Sequence, residues 1–144
     1  MIENVLEFNR RFGLPLGGVD HLTTNVSVQE YRIKFLQEEL AELVEALAAG
    51  DRVKVFDALL DLVYVAQGTA LFAGINVPQW TAGMAAVHHA NMAKTRVARP
   101  ENSKRGSGFD VIKPPGWIGP EPRLEEILRW YKTETAMPQD RGPV

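Results

Sequence analysis

The sequence predicts an all-α fold, a helical bundle of four main helices. Three observations carry that expectation. Apolar residues recur at spacings of three and four along long segments. Gly and Pro punctuate those segments where a helix would stop. No stretch reads as a convincing strand. At 144 residues, with 45% apolar and 24% charged residues, the chain is long enough for one domain with its own core and short for two.

The first helix is expected over Ile2 to Phe12, with Ile2, Val5, Leu6 and Phe12 on one side and Gly13 and Pro15 ending it. Residues 13–26, rich in Gly, Thr and Asn, read as a loop. Ser27 and Glu30 have the Ser-x-x-Glu spacing of a capping box, which starts the second helix there; Gly50 ends it. Its Ile33, Leu36, Leu40, Leu43, Val44 and Leu47 form a core-facing stripe. The third helix, about Val53 to Gly74, is apolar all round, which suits the middle of a bundle. Asn76 and Pro78 open a fourth that runs to about Arg96. Residues 97–122 read as a long loop, Leu124 to Tyr131 as a last short helix, and the tail from Met137 as frayed.

Composition excludes several functions. Lys plus Arg number 16 and Asp plus Glu 18, a net charge of −2 that gives no argument for nucleic acid or a membrane surface as partner. The absence of cysteine excludes a disulfide scaffold, a zinc ribbon and a thiol nucleophile, and it fits a reducing cytoplasm. No signal peptide is read at the start. The longest uncharged run, Leu62 to Gln79, is interrupted by Gln67, Gly68, Gly74, Asn76 and Pro78 and makes a poor membrane span.

The chemistry concentrates in carboxylates. Asp57 and Asp61 stand one turn apart on the apolar third helix, about 40° apart around it, with Tyr64 and Gly68 continuing the stripe. Like charges in an apolar setting resist ionisation unless something positive joins them. The plain alternative is that Asp57 faces solvent and Asp61 pairs with an Arg. The second helix contributes Glu38, Glu39 and Glu42, which alone read as a solvated face, with Glu30–Lys34–Glu38 as surface pairing. The short turn at Gly50–Arg52 makes the two helices antiparallel neighbours. Glu39 and Glu42 then lie about as far before the turn as Asp61 lies after it. Four or five converging carboxylates, with no His or Cys, suit Mg²⁺ or Mn²⁺, and such a site holds di- or triphosphates and activates water.

The segments EELAE (38–42), DALLDLVYVAQGTALFAGI (57–75) and HHANMAKTR (88–96) resemble the all-α nucleoside triphosphate pyrophosphohydrolases. This superfamily includes MazG, dimeric dUTPases, dCTP pyrophosphatases and phosphoribosyl-ATP pyrophosphohydrolase. The chain is most similar to short phage and bacterial MazG-like proteins, through FGLP at Phe12–Pro15 and the Lys-Pro-x-Gly-Trp-like loop at Lys113–Trp117. The similarity covers about residues 5–120. It implies a MazG-like domain over residues 1–122, followed by a short helix and tail at 123–144. It implies a homodimer or homotetramer that cleaves a nucleoside triphosphate to a monophosphate and pyrophosphate with Mg²⁺ or Mn²⁺. By position, Glu39, Glu42 and Asp61 would be metal ligands, and Glu38, the catalytic residue, would bind a further metal or orient the attacking water. The family's usual ExxD reads AxxD here, with Ala58 at the Glu position and Asp57 as the neighbouring substitute.

For the substrate, the resemblance gives Asn91 and Lys94 a sugar or phosphate role. Lys34 and Lys113 are further point charges for phosphate, with solvated lysines as the alternative. Tyr64 reads as a pocket wall or a core residue. Asn9, with Phe12, reads as a base reader or as a satisfied core amide. His88 and His89 read as structural. Another class of function stays open beside the enzyme: a non-catalytic helical dimer that binds nucleotide or protein, for which Ala58 argues. A third reading keeps the enzyme and makes phosphoribosyl-ATP its substrate, against which the FGLP start and the long 97–122 loop argue.

Overall fold

The structure is a computed structural model that describes residues 1–130. It is built of five α-helices: α1 Ile2–Phe12, α2 Val26–Ala49, α3 Arg52–Phe72, α4 Val77–Met92 and α5 Glu121–Leu128. Strands β1 (Thr95–Arg96) and β2 (Val111–Ile112) form one small antiparallel pair. The all-α expectation holds, with these two-residue strands as a correction to the strand-free reading. The chain divides into two compact units after Trp80, inside the first turn of α4.

In the first unit, Gly13 closes α1 in the left-handed conformation (φ 67°). The helix start at Ser27 needs correction. Asn25 is the cap of α2, its side chain accepting from the N–H groups of Ser27 and Val28, which satisfies two of the otherwise unpaired first-turn donors. Asp51 caps α3 in the same way, through Val53 and Lys54. Only Gly50 and Asp51 separate α2 from α3, so the two run antiparallel and form the most extensive helix pair.

Arg32 pins this pair. Its side chain is buried; Nε donates to Thr69 Oγ1 at 3.1 Å and Nη2 to the Val65 carbonyl at 2.8 Å. The guanidinium also lies 5.0–5.3 Å from the ring centroids of Tyr31, Phe35 and Phe72. Gly68 makes room for it, because a Cβ there would stand 3.2 Å from Arg32 Nη2. The core proper is Ile2, Val5 and Leu71, with Leu6, Val77 and Trp80 packed against it. The 13–25 loop returns to the end of α3: Gly18 N–H donates to the Gly74 carbonyl and His21 N–H to that of Phe72. Gly74, at φ 78°, is required there, since a Cβ would meet backbone atoms of Val19 and Asp20 at 2.9 Å.

Burial corrects two expectations. Ile33, Leu40, Val44 and Leu47 of the supposed core stripe are exposed, and only Leu36 and Leu43 are half-buried. The third helix is central only in its second half, from Val65 to Phe72. Val53 (78% exposed), Phe56 (65%), Leu59, Leu60 and Val63 face outward. By composition α3 is long and apolar enough to cross a bilayer; here its second half is core.

The second unit starts at Thr81. The helix expected to reach Arg96 ends at Met92, and Thr95–Arg96 turn into β1 instead. Residues 97–120 are ordered around β2 and a short 3₁₀ turn at Pro100–Asn102. The last helix begins three residues earlier than expected, at Glu121, with Ile127 buried. Tyr131 and the tail from Met137 lie outside the described residues.

Candidate active site

The α2–α3 hairpin carries two different faces. At about 100° per residue, Ile33, Leu40, Val44 and Leu47 share an arc of roughly 60° on α2, and Glu38 and Glu42 lie about half a turn round from it. On α3, Val53, Phe56, Leu59, Leu60 and Val63 occupy an arc of roughly 120°, and Asp57 and Asp61 flank it. One side of the hairpin is apolar and the other acidic.

The acidic side converges as the antiparallel register requires. Glu39 is half-buried between the helices, while Glu38, Glu42 and Asp57 are exposed and Asp61 is half-buried. The Glu39 carboxyl is pushed above its usual value, first by burial and then by the negative charges of Asp61, Glu42, Glu38 and Asp57. Five carboxylates from two helices therefore act on one place. None of them takes part in an ion pair among the described residues, so the Arg partner considered for Asp61 does not appear there. Towards the turn, Glu42, Glu45 and Asp57 line a cleft of about 470 Å³ with Lys54, Ala46, Ala49 and Ala58. Ala58 is buried under α2, so the acid that the resemblance expects there is replaced by a methyl group, and Asp57 presents its carboxylate at the rim of the same cleft.

All of these donors are hard oxygens, and their mutual repulsion is what a divalent cation would relieve. The donor chemistry fits Mg²⁺ or Mn²⁺. Among the described residues, no three acids or histidines stand ready-made as a cation cage in the single chain. Ligation would draw in the flexible Glu side chains around Glu39.

The other expected residues fall in two groups. In the first unit, Asn9 is only 2% exposed, and its Nδ2 donates to the Pro15 carbonyl at 2.6 Å. The amide thus holds the FGLP turn, which accounts for its burial. Phe12 and Tyr64 are partly open and meet through Phe8: ring centroids are 4.7 Å apart for Phe8–Phe12 and 5.8 Å for Phe8–Tyr64, the latter edge-on. Phe8 escaped the sequence reading, although its position one turn before Phe12 was a signal. Glu45, one turn after Glu42, is a second omission. Lys34 is exposed and forms no ion pair with Glu30 or Glu38.

Asn91, Lys94 and Lys113 belong to the second unit. Asn91 is exposed on the last turn of α4, and Lys94 follows the helix rather than lying on it. Lys94 and Lys113 meet at Trp117, with Nζ atoms 5.6 and 4.4 Å from its ring centroid. His88 and His89 are exposed.

Comparison with known proteins agrees with this class of fold. Residues 5–91 match the family described as phosphoribosyl-ATP pyrophosphohydrolase, and the chain belongs to that family, within the MazG-like nucleoside triphosphate pyrophosphohydrolases. An uncharacterized protein, L479, of Acanthamoeba polyphaga mimivirus is 35% identical over 74 residues, which cover 49% of this chain and 30% of the relative. The match thus spans less than a third of that relative's length. Membership supports a nucleotide pyrophosphohydrolase-type activity.

Proposed function

We propose that the protein is a Mg²⁺- or Mn²⁺-dependent pyrophosphohydrolase acting on a (d)NTP, such as dUTP, dCTP, dGTP or a modified nucleotide, and releasing the monophosphate and pyrophosphate. The observation that carries this reading is the convergence on Glu39 of four further carboxylates, none of the five in an ion pair among the described residues. Glu39, Glu42 and Asp61 would hold the cation, with Glu38 and Asp57 beside them. When bound, the cation supplies positive charge to the polyphosphate and to the charge that develops at phosphorus.

The chain's own residues have distinct tasks in this reading. Glu38, on the open side of the acid face, orients the water that attacks the α phosphorus and accepts its proton. Tyr64 and Phe12 offer ring surface beside the acid stripe. Asn9 supports that wall by holding the FGLP turn. Asn91, Lys94, Lys34 and Lys113 are the groups proposed to reach sugar or phosphate oxygens. The exposed apolar side of the hairpin is where a second copy of the chain would pack, which gives a homodimer or, by repetition, a homotetramer. A cytoplasmic location belongs to the same reading.

The test is a panel of canonical and modified (d)NTPs with Mg²⁺ or Mn²⁺, scored for pyrophosphate against orthophosphate. Glu39→Gln and Asp61→Asn are expected to abolish turnover while circular dichroism stays helical. Wild-type rates in either variant would remove the assignment and favour a non-catalytic nucleotide-binding dimer.

A further inference from the structure

The family match ends at residue 91, and a second charged feature lies wholly beyond it. β1 and β2 place Thr95 opposite Ile112 and Arg96 opposite Val111. The hairpin is tied further by Val97 N–H to the Asp110 carbonyl (3.1 Å) and by Arg96 Nε to the Gly108 carbonyl (3.1 Å). Beside it is a cleft of about 390 Å³ lined by Lys94, Lys104, Arg105, Asp110, Lys113 and the β2 residues.

The charges in this cleft do not cancel. Asp110 is its only carboxylate, and that carboxylate is already engaged. It accepts from the Ser103 hydroxyl at 2.6 Å, from the Arg105 guanidinium, and from Val111 N–H at 2.8 Å. Those bonds, the Ser103 one foremost, hold its carboxyl near 2, well below the usual 3.8. Arg105 is thereby neutralised, and the three lysines remain. None of the three has an ion-pair partner among the described residues. Two of them are gathered on one ring, because Lys94 and Lys113 both lie against Trp117. That ring is fixed by its indole N–H, which donates to the Ala90 carbonyl at 2.7 Å. Holding ammonium groups together repels them unless an anion is present.

We propose that this cleft binds the di- or triphosphate group of a small anion, with Lys94, Lys104 and Lys113 supplying the charge and Trp117 fixing two of them. The proposal rests on the functional reading above for Lys94 and Lys113. It adds Lys104 and Trp117, and a binding site that does not need the carboxylates. Lysines act on phosphate as point charges, so a compact polyphosphate suits three of them better than a planar carboxylate would. A nucleic-acid strand fits poorly: it needs free ring faces for its bases, whereas this indole is taken up by ammonium groups, and the chain as a whole carries net charge −2.

The experiment titrates the full chain with sodium pyrophosphate, without divalent cation, by calorimetry. Parallel arms use inorganic phosphate, a non-hydrolysable (d)NTP analogue and a single-stranded oligonucleotide. Saturable pyrophosphate binding is expected, tighter than phosphate and lost at high salt. Tighter binding of the analogue than of pyrophosphate makes the substrate the source of the phosphates; the reverse order makes it the released product. The Lys104→Ala/Lys113→Ala double variant should bind about tenfold more weakly, or worse, for two lost charge-assisted contacts, while Lys113→Arg retains binding. Lys104 is exposed, so Lys104→Ala alone provides a folded variant that should also weaken it. The proposal is overturned by no saturable pyrophosphate binding, by unchanged affinity in the double variant, or by tighter binding of the oligonucleotide. Failure here with Glu39→Gln still inactive leaves the enzyme reading standing. Pyrophosphate binding together with a fully active Glu39→Gln does the opposite.

Discussion

Glu39 is caught between two demands. Its stem packs in the α2–α3 seam, and its carboxyl faces four like charges. The raised pKa means that the folded state holds this proton more tightly than the unfolded chain does. Stability is therefore lost as pH climbs from the ordinary carboxylate value through the raised one, and it stays lost above that. In chelator, the melting temperature of the wild type should fall relative to Glu39→Gln as pH rises from the ordinary carboxylate range through the raised value, and Mg²⁺ should restore it in the wild type only. Superimposable pH curves for the two proteins would mean that the acids do not feel one another. The convergence itself was legible in the sequence, because a two-residue turn fixes which α2 positions face Asp61. The state of Asn9 was not: its spacing shows a polar group on an apolar side, and only the FGLP backbone shows which carbonyl satisfies it.

Among the elements, the ends were read best where stereochemistry leaves little choice. Gly13 and Gly50 stop α1 and α2 because both take positive φ, which other residues resist. The start of α2 went to Asn25 because its side-chain oxygen Oδ1 reaches the N–H groups two and three residues on, those of Ser27 and Val28. Ser27 spends its hydroxyl on that same oxygen. Asn25→Ala should therefore cost about 1 kcal/mol in chemical denaturation, and Ser27→Ala distinctly less. Equal losses would restore the capping box. The early end of α4 could not be seen, because a two-residue strand has no periodicity to read.

At the scale of the whole molecule, periodicity told which sides of α2 and α3 are apolar but not what covers them. α1 covers the second half of α3. The first half, with Phe56 and Leu60, and the Ile33–Leu47 stripe of α2 remain open in one chain. An exposed apolar surface of this kind is the one on which the proposed second copy would pack. If the proposed homodimer or homotetramer forms through this surface, Phe56→Glu is expected to convert it to monomers in sedimentation experiments. In a protein that is already monomeric the same change would leave both mass and stability almost untouched, since Phe56 is 65% exposed.

The division of α3 into a covered and an uncovered half also bears on how the chain reaches its final state. The Leu71 end can dock within one molecule, so its burial should proceed at a rate indifferent to dilution. In the proposed homodimer the Phe56 end would have to wait for a collision. Refolding followed by stopped flow should thus show a first-order phase and then a slower one whose half-time shortens as protein is added. Amides near the turn should exchange with deuterium faster in dilute samples than in concentrated ones.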